Sequence, residues 1–454
     1  MRLNDINSIF FIGIGGIGMS ALARYFNFRG KQVSGYDKTN TALTSDLENE
    51  GIYITYEDSL DTLTKDADLI VYTPAVPTNH LQLNYYRNNN FTVKKRSEVL
   101  GLIANELFNI SIAGSHGKTS TSSLTAYLLK SANKDTAAFL GGLALNFNSN
   151  FIDGNTYAVV EADEFDRSFL QLQPNITLVT SIDTDHLEIY GNLKSIQDSF
   201  SQFLSQVRDG GTIFLHQSID QIKLKEGIVC KTYSYDNQLS DFFASNIRVS
   251  EGTTRFDLNT PKGTITDLVL NYGGQHNVEN AIGASAIALE IGVSTQDLKH
   301  GLATYKGVKR RFQIIHKSEQ NILVDDYAHH PREIDAVIRT ARDLYPNKHL
   351  TVVFQPHLFS RTRDLAEEFS QSLSQADSIV LLPIYPAREL PIDKISSELI
   401  LNKISIQDKA IVDKNDLLDY LSKKEPQGVI MTLGAGNIDT AVTPISNWLK
   451  SMNK

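Results

Sequence analysis

Cysteine is nearly absent from this 454-residue chain, where Cys230 stands alone. One thiol cannot form an intramolecular disulfide, and so low a count suits a reducing compartment. Long apolar runs are scarce near the start. Ile9 to Ile12 is the early one, and glycines interrupt it at once, so neither a signal peptide nor a membrane span can be drawn there. The expectation is a cytoplasmic protein with no membrane insertion. Excess positive charge is missing too: 43 basic residues against 52 acidic ones give a formal charge of -9. That balance repels nucleic acid, so any bound nucleotide should be small. The chain also shows no repeat of solenoid period and no low-complexity tract.

What is present is ordinary globular material, with 41% hydrophobic, 9% aromatic and 21% charged residues. The length exceeds what one core supports and predicts three domains. Apolar runs of strand length, Ile9 to Ile12, Leu69 to Tyr72, Ile110 to Ala113, Ala158 to Val160, Ile176 to Val179, Thr351 to Phe354 and Ser378 to Leu382, alternate with helical periodicity. The helical stretches include Ser20 to Phe28, Ser120 to Lys130, Asn277 to Ile291 and Arg363 to Leu373. Alternation of this kind means α/β with largely parallel sheets. Glycine-rich turns near Gly13 and Gly114 each open a sheet, putting one boundary near Phe108. A second boundary fits near Gly307, with a new strand-helix series from Ile322. The polar, turn-rich segment from Gly210 to Gly273 reads as an antiparallel excursion inside the second domain.

The chemistry concentrates in three places. Gly114-Ser115-His116-Gly117-Lys118-Thr119-Ser120 follows an apolar strand and opens a helix, the setting of a phosphate loop. Its glycines turn backbone N–H groups toward an anion, Lys118 adds a point charge, and Thr119 offers a hydroxyl to Mg²⁺. The loop is shorter than the commonest Walker form, because Ile112 stands where the first glycine is expected. Downstream, Glu161-Ala162-Asp163-Glu164 and Asp183-Thr184-Asp185-His186 end two strands at the edge where ligands of an open α/β sheet sit. Thr119, Glu161 and one of the 183–186 group, His186 being its unusual member, are thus candidate metal ligands. The third place is Gly13-Ile14-Gly15-Gly16-Ile17-Gly18 with Asp37 about 20 residues on. Alone it fits a dinucleotide site, yet its physics serves any nucleotide diphosphate, a UDP-sugar included.

Together with Gly274-Gln275-His276-Asn277-Val278-Glu279-Asn280, Asp325-Asp326-Tyr327-Ala328-His329-His330-Pro331, Gln355-Pro356-His357 and Ser360-Arg361-Thr362-Arg363-Asp364, these motifs make the chain resemble the Mur ligases over nearly its whole length. The resemblance implies an N-terminal Rossmann-like UDP-sugar domain (1–107), a central P-loop ATPase-type α/β domain (108–308) and a C-terminal Rossmann-like amino-acid domain (309–454). It further implies an amide made at the expense of ATP, with Mg²⁺, between the lactyl carboxylate of UDP-N-acetylmuramate and L-alanine. Carried over residue by residue, Lys118, Glu161 and His186 become catalytic, and Thr119, Glu161 and His186 metal ligands. ATP falls to Gly114 through Ser120 with Asn277, Asn280 and Arg310. The UDP substrate falls to Gly15, Gly16, Ile17, Gly18 and Asp37, and the amino acid to His329, His357 and Arg361. Leu358, Tyr36, Phe165 and Arg167 depart from the family's usual Arg, Ser, Ser and Gly. Three rivals stand beside this reading: a sister ligase adding a tripeptide, glycine or serine; an NAD-dependent oxidoreductase using the first glycine turn; and a non-catalytic nucleotide-binding regulator.

Overall fold

A computed structural model of the chain describes residues 3–183, 190, 192–220, 222–250, 252–271, 273–387, 389–425 and 427–452. Three sheets carry it. The first contains β1 (Ser8–Ile12), β2 (Gln32–Tyr36), β3 (Tyr53–Thr55), β4 (Leu69–Tyr72) and β5 (Val93–Lys95), all parallel, in the order β3-β2-β1-β4-β5. Every residue of β1 is buried, as a strand covered on both faces requires. The chain reverses direction across the sheet at β1, and the glycine turn follows that strand. This is the place where an open parallel sheet leaves a crevice for ligand.

The second sheet begins with β6 (Phe108–Ala113), β7 (Thr136–Ala144), β8 (Ser149–Ile152), β9 (Tyr157–Glu161) and β10 (Ile176–Val179). It continues through β11 (Thr212–His216), β12 (Val229–Ser234), β13 (Phe242–Ser250), β14 (Thr253–Thr260) and β15 (Gly263–Leu270). Its order is β15-β14-β13-β12-β11-β10-β6-β9-β7-β8. β6 lies between β9 and β10, parallel to both, with Ile112 opposite Glu161 and Ala113 opposite Val179. That register brings Glu161 beside the start of the phosphate loop. The predicted antiparallel excursion from Gly210 needs correction: β11 and β12 continue the parallel series, and β12 is still parallel to β13 at Tyr233 and Phe242. Buried Thr212 to Leu215 form one more apolar core strand, which the polar residues around them concealed.

The third sheet contains β16 (Gln313–Lys317), β17 (Asn321–Asp326), β18 (Leu350–Phe354), β19 (Ser378–Leu381), β20 (Lys409–Ile411) and β21 (Gly428–Leu433), ordered β16-β17-β21-β18-β19-β20. All its pairings are parallel except that of β16 with β17, an edge strand absent from the sequence reading. Helix Pro331–Leu344 shows how such helices are specified. Ile334, Val337, Ile338, Ala341 and Leu344 recur at helical spacing and are buried, Pro331 presets the first turn, and His330 with Glu333 forms a capping box. The predicted helix from Arg363 to Leu373 is two, Phe359–Asp364 and Ala366–Leu373, because Leu365 leaves helical φ/ψ and packs on the core of this sheet.

The architecture is therefore three α/β domains. The chain packs as two compact units, Met1–Ser245 with Asp257–Leu268 and Glu279–Lys306, and Asn246–Phe256 with Val269–Val278 and Gly307–Lys454. Within the first unit one continuous core runs from Ile9 and Phe11 of the first sheet to Val160 and Ile213 of the second. Helix Ile17–Phe28 makes the joint: Tyr25 meets Phe139 and Phe151 with ring centroids 5.6 and 5.9 Å apart. Buried Arg24 pairs with Glu50 at 2.7 Å and donates to Asn150 Oδ1, while Asn150 Nδ2 donates to Ile17 O at 2.6 Å. Among the described residues no helix is long and apolar enough to cross a membrane.

Candidate active site

Two helices of the first unit begin at glycine and carry no side-chain cap: Ile17–Phe28 after Gly16 and Lys118–Ser131 after Gly117. Helices Ala42–Asn49, Leu193–Ser205 and Thr295–Thr304 are capped by Thr41, Asn192 and Ser294. A helix start leaves several N–H groups without intrahelical acceptors, and an anion can supply what a cap otherwise would. Both uncapped starts coincide with the motifs singled out from sequence.

At the phosphate loop, Gly117 has φ +77°, and a Cβ there would stand 2.6 Å from Asn280 Oδ1. Both the left-handed backbone and the close approach of Asn280 demand glycine. The loop is fastened to the end of β10: Ser115 N donates to Ser181 O at 3.0 Å, Asp183 N to Ser115 Oγ at 2.9 Å, and His116 N to Ser181 Oγ at 3.2 Å. Lys118 Nζ donates to Gly114 O at 2.6 Å and to Glu164 Oε1 at 2.9 Å. Burial works against its charge, but the carboxylates of Glu164, Asp163 and Glu161 overcome that and hold the ammonium above its ordinary pKa.

Thr119 Oγ1 donates to Glu161 Oε1 at 3.1 Å, and Gly141 N donates to Oε2 at 3.0 Å. The predicted partners Thr119 and Glu161 are thus adjacent; His186 lies outside the described residues. Among the described residues no group of three or more His, Cys, Asp or Glu side chains gathers as a metal cluster. A hydroxyl beside a carboxylate is instead the oxygen-rich, incomplete donor set that suits Mg²⁺, which takes its remaining ligands from phosphate and water. Thr121 Oγ1 donates to Asn280 Oδ1 at 3.1 Å, placing that predicted residue at the loop, whereas Asn277 turns its amide to Gly273 O at 2.7 Å. Sequence reasoning missed Glu164 as the partner of Lys118 and Gly141 as the residue that makes room for Glu161. A glycine in the middle of a strand was the available signal for the second.

At the first glycine turn, Gly13 N and Ile14 N donate to Tyr36 O, at 2.7 and 3.0 Å. Asp37 Oδ2 accepts from Gly15 N at 2.8 Å and Oδ1 from Thr39 N at 3.2 Å. Arg96, unnoticed in the sequence, covers Gly18, where a Cβ would stand 2.9 Å from its Nη1.

In the second unit the ends of β17, β18 and β21 carry the remaining predicted residues. The His329 and His357 rings lie 6.0 Å apart, and His357 stacks on Tyr385. Burial lowers both histidines, His357 to about 4, with each other's charge and Arg361 adding to the effect on His357. Both are therefore neutral near pH 7, and Arg361 supplies the cation; its Nη1 is buried with no hydrogen-bond partner among the described residues. Such a group suits a carboxylate. His330 is a helix cap, its Nδ1 accepting from Arg332 N at 3.4 Å, and exposed Arg363 pairs with its neighbour Asp364. Arg310, predicted to contact ATP, donates to Gly434 O and Gly436 O and lies 3.5 Å from Asp325, while Tyr327 lies under both Arg310 and Arg311.

A chain with two uncapped, glycine-started helices in its first unit and a buried, unpartnered guanidinium nitrogen in its second carries the parts a nucleotide-dependent ligase needs. The chain belongs to the Mur ligase family. The family's catalytic domain matches residues 8–107, its middle domain residues 112–288 and its glutamate ligase domain residues 310–436. The chain is 49% identical to the UDP-N-acetylmuramate–L-alanine ligase of Flavobacterium psychrophilum over 454 residues, 99% of each chain. It is 46% identical to the enzyme of that name from Porphyromonas gingivalis over 452 residues, 98% of this chain and 99% of the relative. Among solved structures, the UDP-N-acetylmuramate–alanine ligase of Thermotoga maritima superposes with a TM-score of 0.83 at 26% identity, covering 98% of this chain and 99% of that one.

Proposed function

We infer that the chain joins L-alanine to the lactyl carboxylate of UDP-N-acetylmuramate, converting ATP to ADP and phosphate through an acyl phosphate. The observation that carries this reading is the pair of uncapped, glycine-started helices in one unit, found in a chain whose relatives with that name match it end to end. One anion site accounts for the diphosphate of a UDP-sugar, the other for ATP. A nicotinamide enzyme has no use for the second, and a silent nucleotide binder has none for an intact Lys118 with Thr119 and Glu161.

Activation of the carboxylate comes first, because an unactivated carboxylate is a poor acyl donor. Phosphoryl transfer asks the protein mainly for position and charge. Lys118 directs its ammonium at the transferring phosphate, N–H groups of the uncapped helix start from Gly117 to Thr119 cradle it, and Asn280 orients the loop from behind Gly117. Thr119 and Glu161, with His186 as the third ligand of the resemblance, would hold Mg²⁺. When bound, that ion would supply positive charge that neutralises the phosphate. The domains divide the work as 1–107 for the UDP-sugar, 108–308 for ATP and 309–454 for the amino acid. In the last, Arg361 pairs with the alanine carboxylate between the uncharged rings of His329 and His357.

The test is ADP release with ATP, Mg²⁺, UDP-N-acetylmuramate and one amino acid at a time, beside Lys118→Ala. L-alanine should drive release above glycine and L-serine, and the variant should release little. Release independent of both UDP-N-acetylmuramate and amino acid would sink the reading.

A further inference from the structure

We propose that Glu164 is a positioning residue for the known chemistry of the loop, fixing where the Lys118 ammonium stands and sharing it with the nucleotide phosphate. The inference rests on the ATP-dependent reading above. An ammonium has three N–H donors, and Lys118 directs them at three acceptors: Gly114 O at 2.6 Å, Ser115 O at 3.4 Å and Glu164 Oε1 at 2.9 Å. Two of these belong to the loop itself. The third is the only side chain among them and the only full charge.

The main chain that carries this carboxylate is held firmly. The Glu164 side chain is 3% exposed. Tyr190 Oη donates to its carbonyl at 2.6 Å, Arg167 N donates to the same carbonyl at 2.9 Å, and Phe169 N donates to Asp163 O at 2.9 Å. The next turn is strained: Asp166 and Arg167 both have φ of +53°, a conformation that costs a side-chain-bearing residue about 1–2 kcal/mol. Its neighbours hold it there, Lys95 pairing with Asp166 at 3.0 Å and the Arg167 guanidinium lying 5.7 Å from the centre of the Tyr190 ring. A buried ion pair adds little stability over apolar residues of the same size, so stability is a poor reason for building one into such a frame. Geometry is a better one. A lysine on four methylenes wanders unless a partner limits it, and catalysis by positioning loses rate steeply with small displacements.

Glu164 therefore does two opposed things, orienting Lys118 and competing with phosphate for it. Replacing the charge while keeping the shape separates them. Glu164→Gln should leave ADP affinity unchanged or tighten it, because the competing anion is gone. It should lower kcat by about tenfold to a hundredfold, because the ammonium loses its anchor. Glu164→Asp, which keeps the charge, should recover part of that loss, and Tyr190→Phe, which removes one of the two hydrogen bonds on the Glu164 carbonyl, should lower kcat with ADP affinity preserved. Calorimetric ADP binding, steady-state kcat and KM for ATP, and the unfolding midpoint of each variant read the outcome. A kcat for Glu164→Gln within twofold of the unaltered chain overturns the proposal. So does a parallel loss of ADP affinity, kcat and unfolding midpoint that Glu164→Asp fails to rescue. Should the unaltered chain bind ADP but form no amide, the function reading falls, and tighter or equal ADP binding by Glu164→Gln still decides for Glu164 as competitor against a purely structural role.

Discussion

Gly117→Ala puts the geometry of the phosphate loop to a quantitative test. Gly117 lies at φ +77°, where an alanine costs roughly 1–2 kcal/mol. The added Cβ would lie 2.6 Å from Asn280 Oδ1, inside any tolerated contact, so the Asn280 amide must turn away. That breaks its 3.1 Å hydrogen bond from Thr121 Oγ1, worth about 1 kcal/mol net. The total is roughly 2–3 kcal/mol, read as a lower denaturation midpoint of the unit carrying the loop. ADP affinity should fall as well, since the N–H groups from residue 117 onward are the proposed phosphate cradle. A double-mutant cycle with Asn280→Ala isolates the collision. In the double variant the Cβ meets no amide, so Gly117→Ala should add only its backbone cost to that of Asn280→Ala, and the two changes should fail to add by about 1 kcal/mol. Additive effects would refute the claim that Gly117 is glycine because of Asn280.

Further outcomes follow from other parts of the molecule. Glu161→Gln should weaken ATP binding in excess Mg²⁺ by about tenfold or more while changing it little in EDTA; equal loss in both conditions would remove Glu161 from the metal site. Arg24→Ala should destabilise the first unit by roughly 1–3 kcal/mol, the cost of leaving buried Asn150 Oδ1 without a donor. Its partner Glu50, with a side chain 38% exposed, adds little, and a change below about 0.5 kcal/mol in chemical denaturation would contradict the joint described above. His357 has its pKa lowered from 6.5 to about 4, chiefly by burial. The unfolded chain therefore binds a proton before the folded one does, so this residue's contribution is whole above pH 6.5 and is lost as pH falls toward 4. Asp326, raised by burial to about 6, acts oppositely, losing stability as pH rises from 3.8. The measurement is hence a difference. Over pH 4–7 the unaltered chain should lose stability relative to His357→Gln as the solution is acidified, and parallel pH profiles would show that His357 titrates normally.

Much of this site was legible because its chemistry is backbone chemistry. Gly13 to Gly18 and Gly114 to Ser120 each follow an apolar strand and open a helix, and the same few residues that allow the turn leave N–H groups free for an anion. Leu69–Tyr72 and Ile176–Val179 appear with the predicted bounds because buried parallel strands are unbroken apolar runs. What escaped lies in side chains that meet across long separations. Nothing local marks Glu164 as the partner of Lys118 or Arg96 as the cover of Gly18, since each pairing is created by the topology. The neighbouring acids Asp163 and Glu164 look interchangeable in sequence, yet one side chain is 37% exposed and the other 3%. The histidines divide in the same way. Of His329 and His330, one faces His357 and the other caps a helix, a difference of one residue that decides which side of the turn each ring takes.

The first glycine turn shows why its spacing alone pointed two ways and what separates them. In a dinucleotide site the acid after the second strand is kept for ribose hydroxyls. Here both oxygens of Asp37 accept main-chain N–H groups, from Gly15 and Thr39, and the space a side chain at residue 15 would need is filled by Asp37 and Thr44. The acid closes the turn on itself. Above the helix start stands Arg96, 3.7 Å from Asp163, the residue before Glu164. A guanidinium at this point sets a positive charge beside the N–H groups of the helix start. It is also linked to Lys118 of the phosphate loop through two ion pairs and one residue step, Arg96 to Asp163 and Glu164 to Lys118. Arg96→Ala should therefore weaken UDP-N-acetylmuramate binding about tenfold at low salt, and the loss should shrink as salt rises. A salt-independent loss would mean that Arg96 acts by packing over Gly18 rather than by charge.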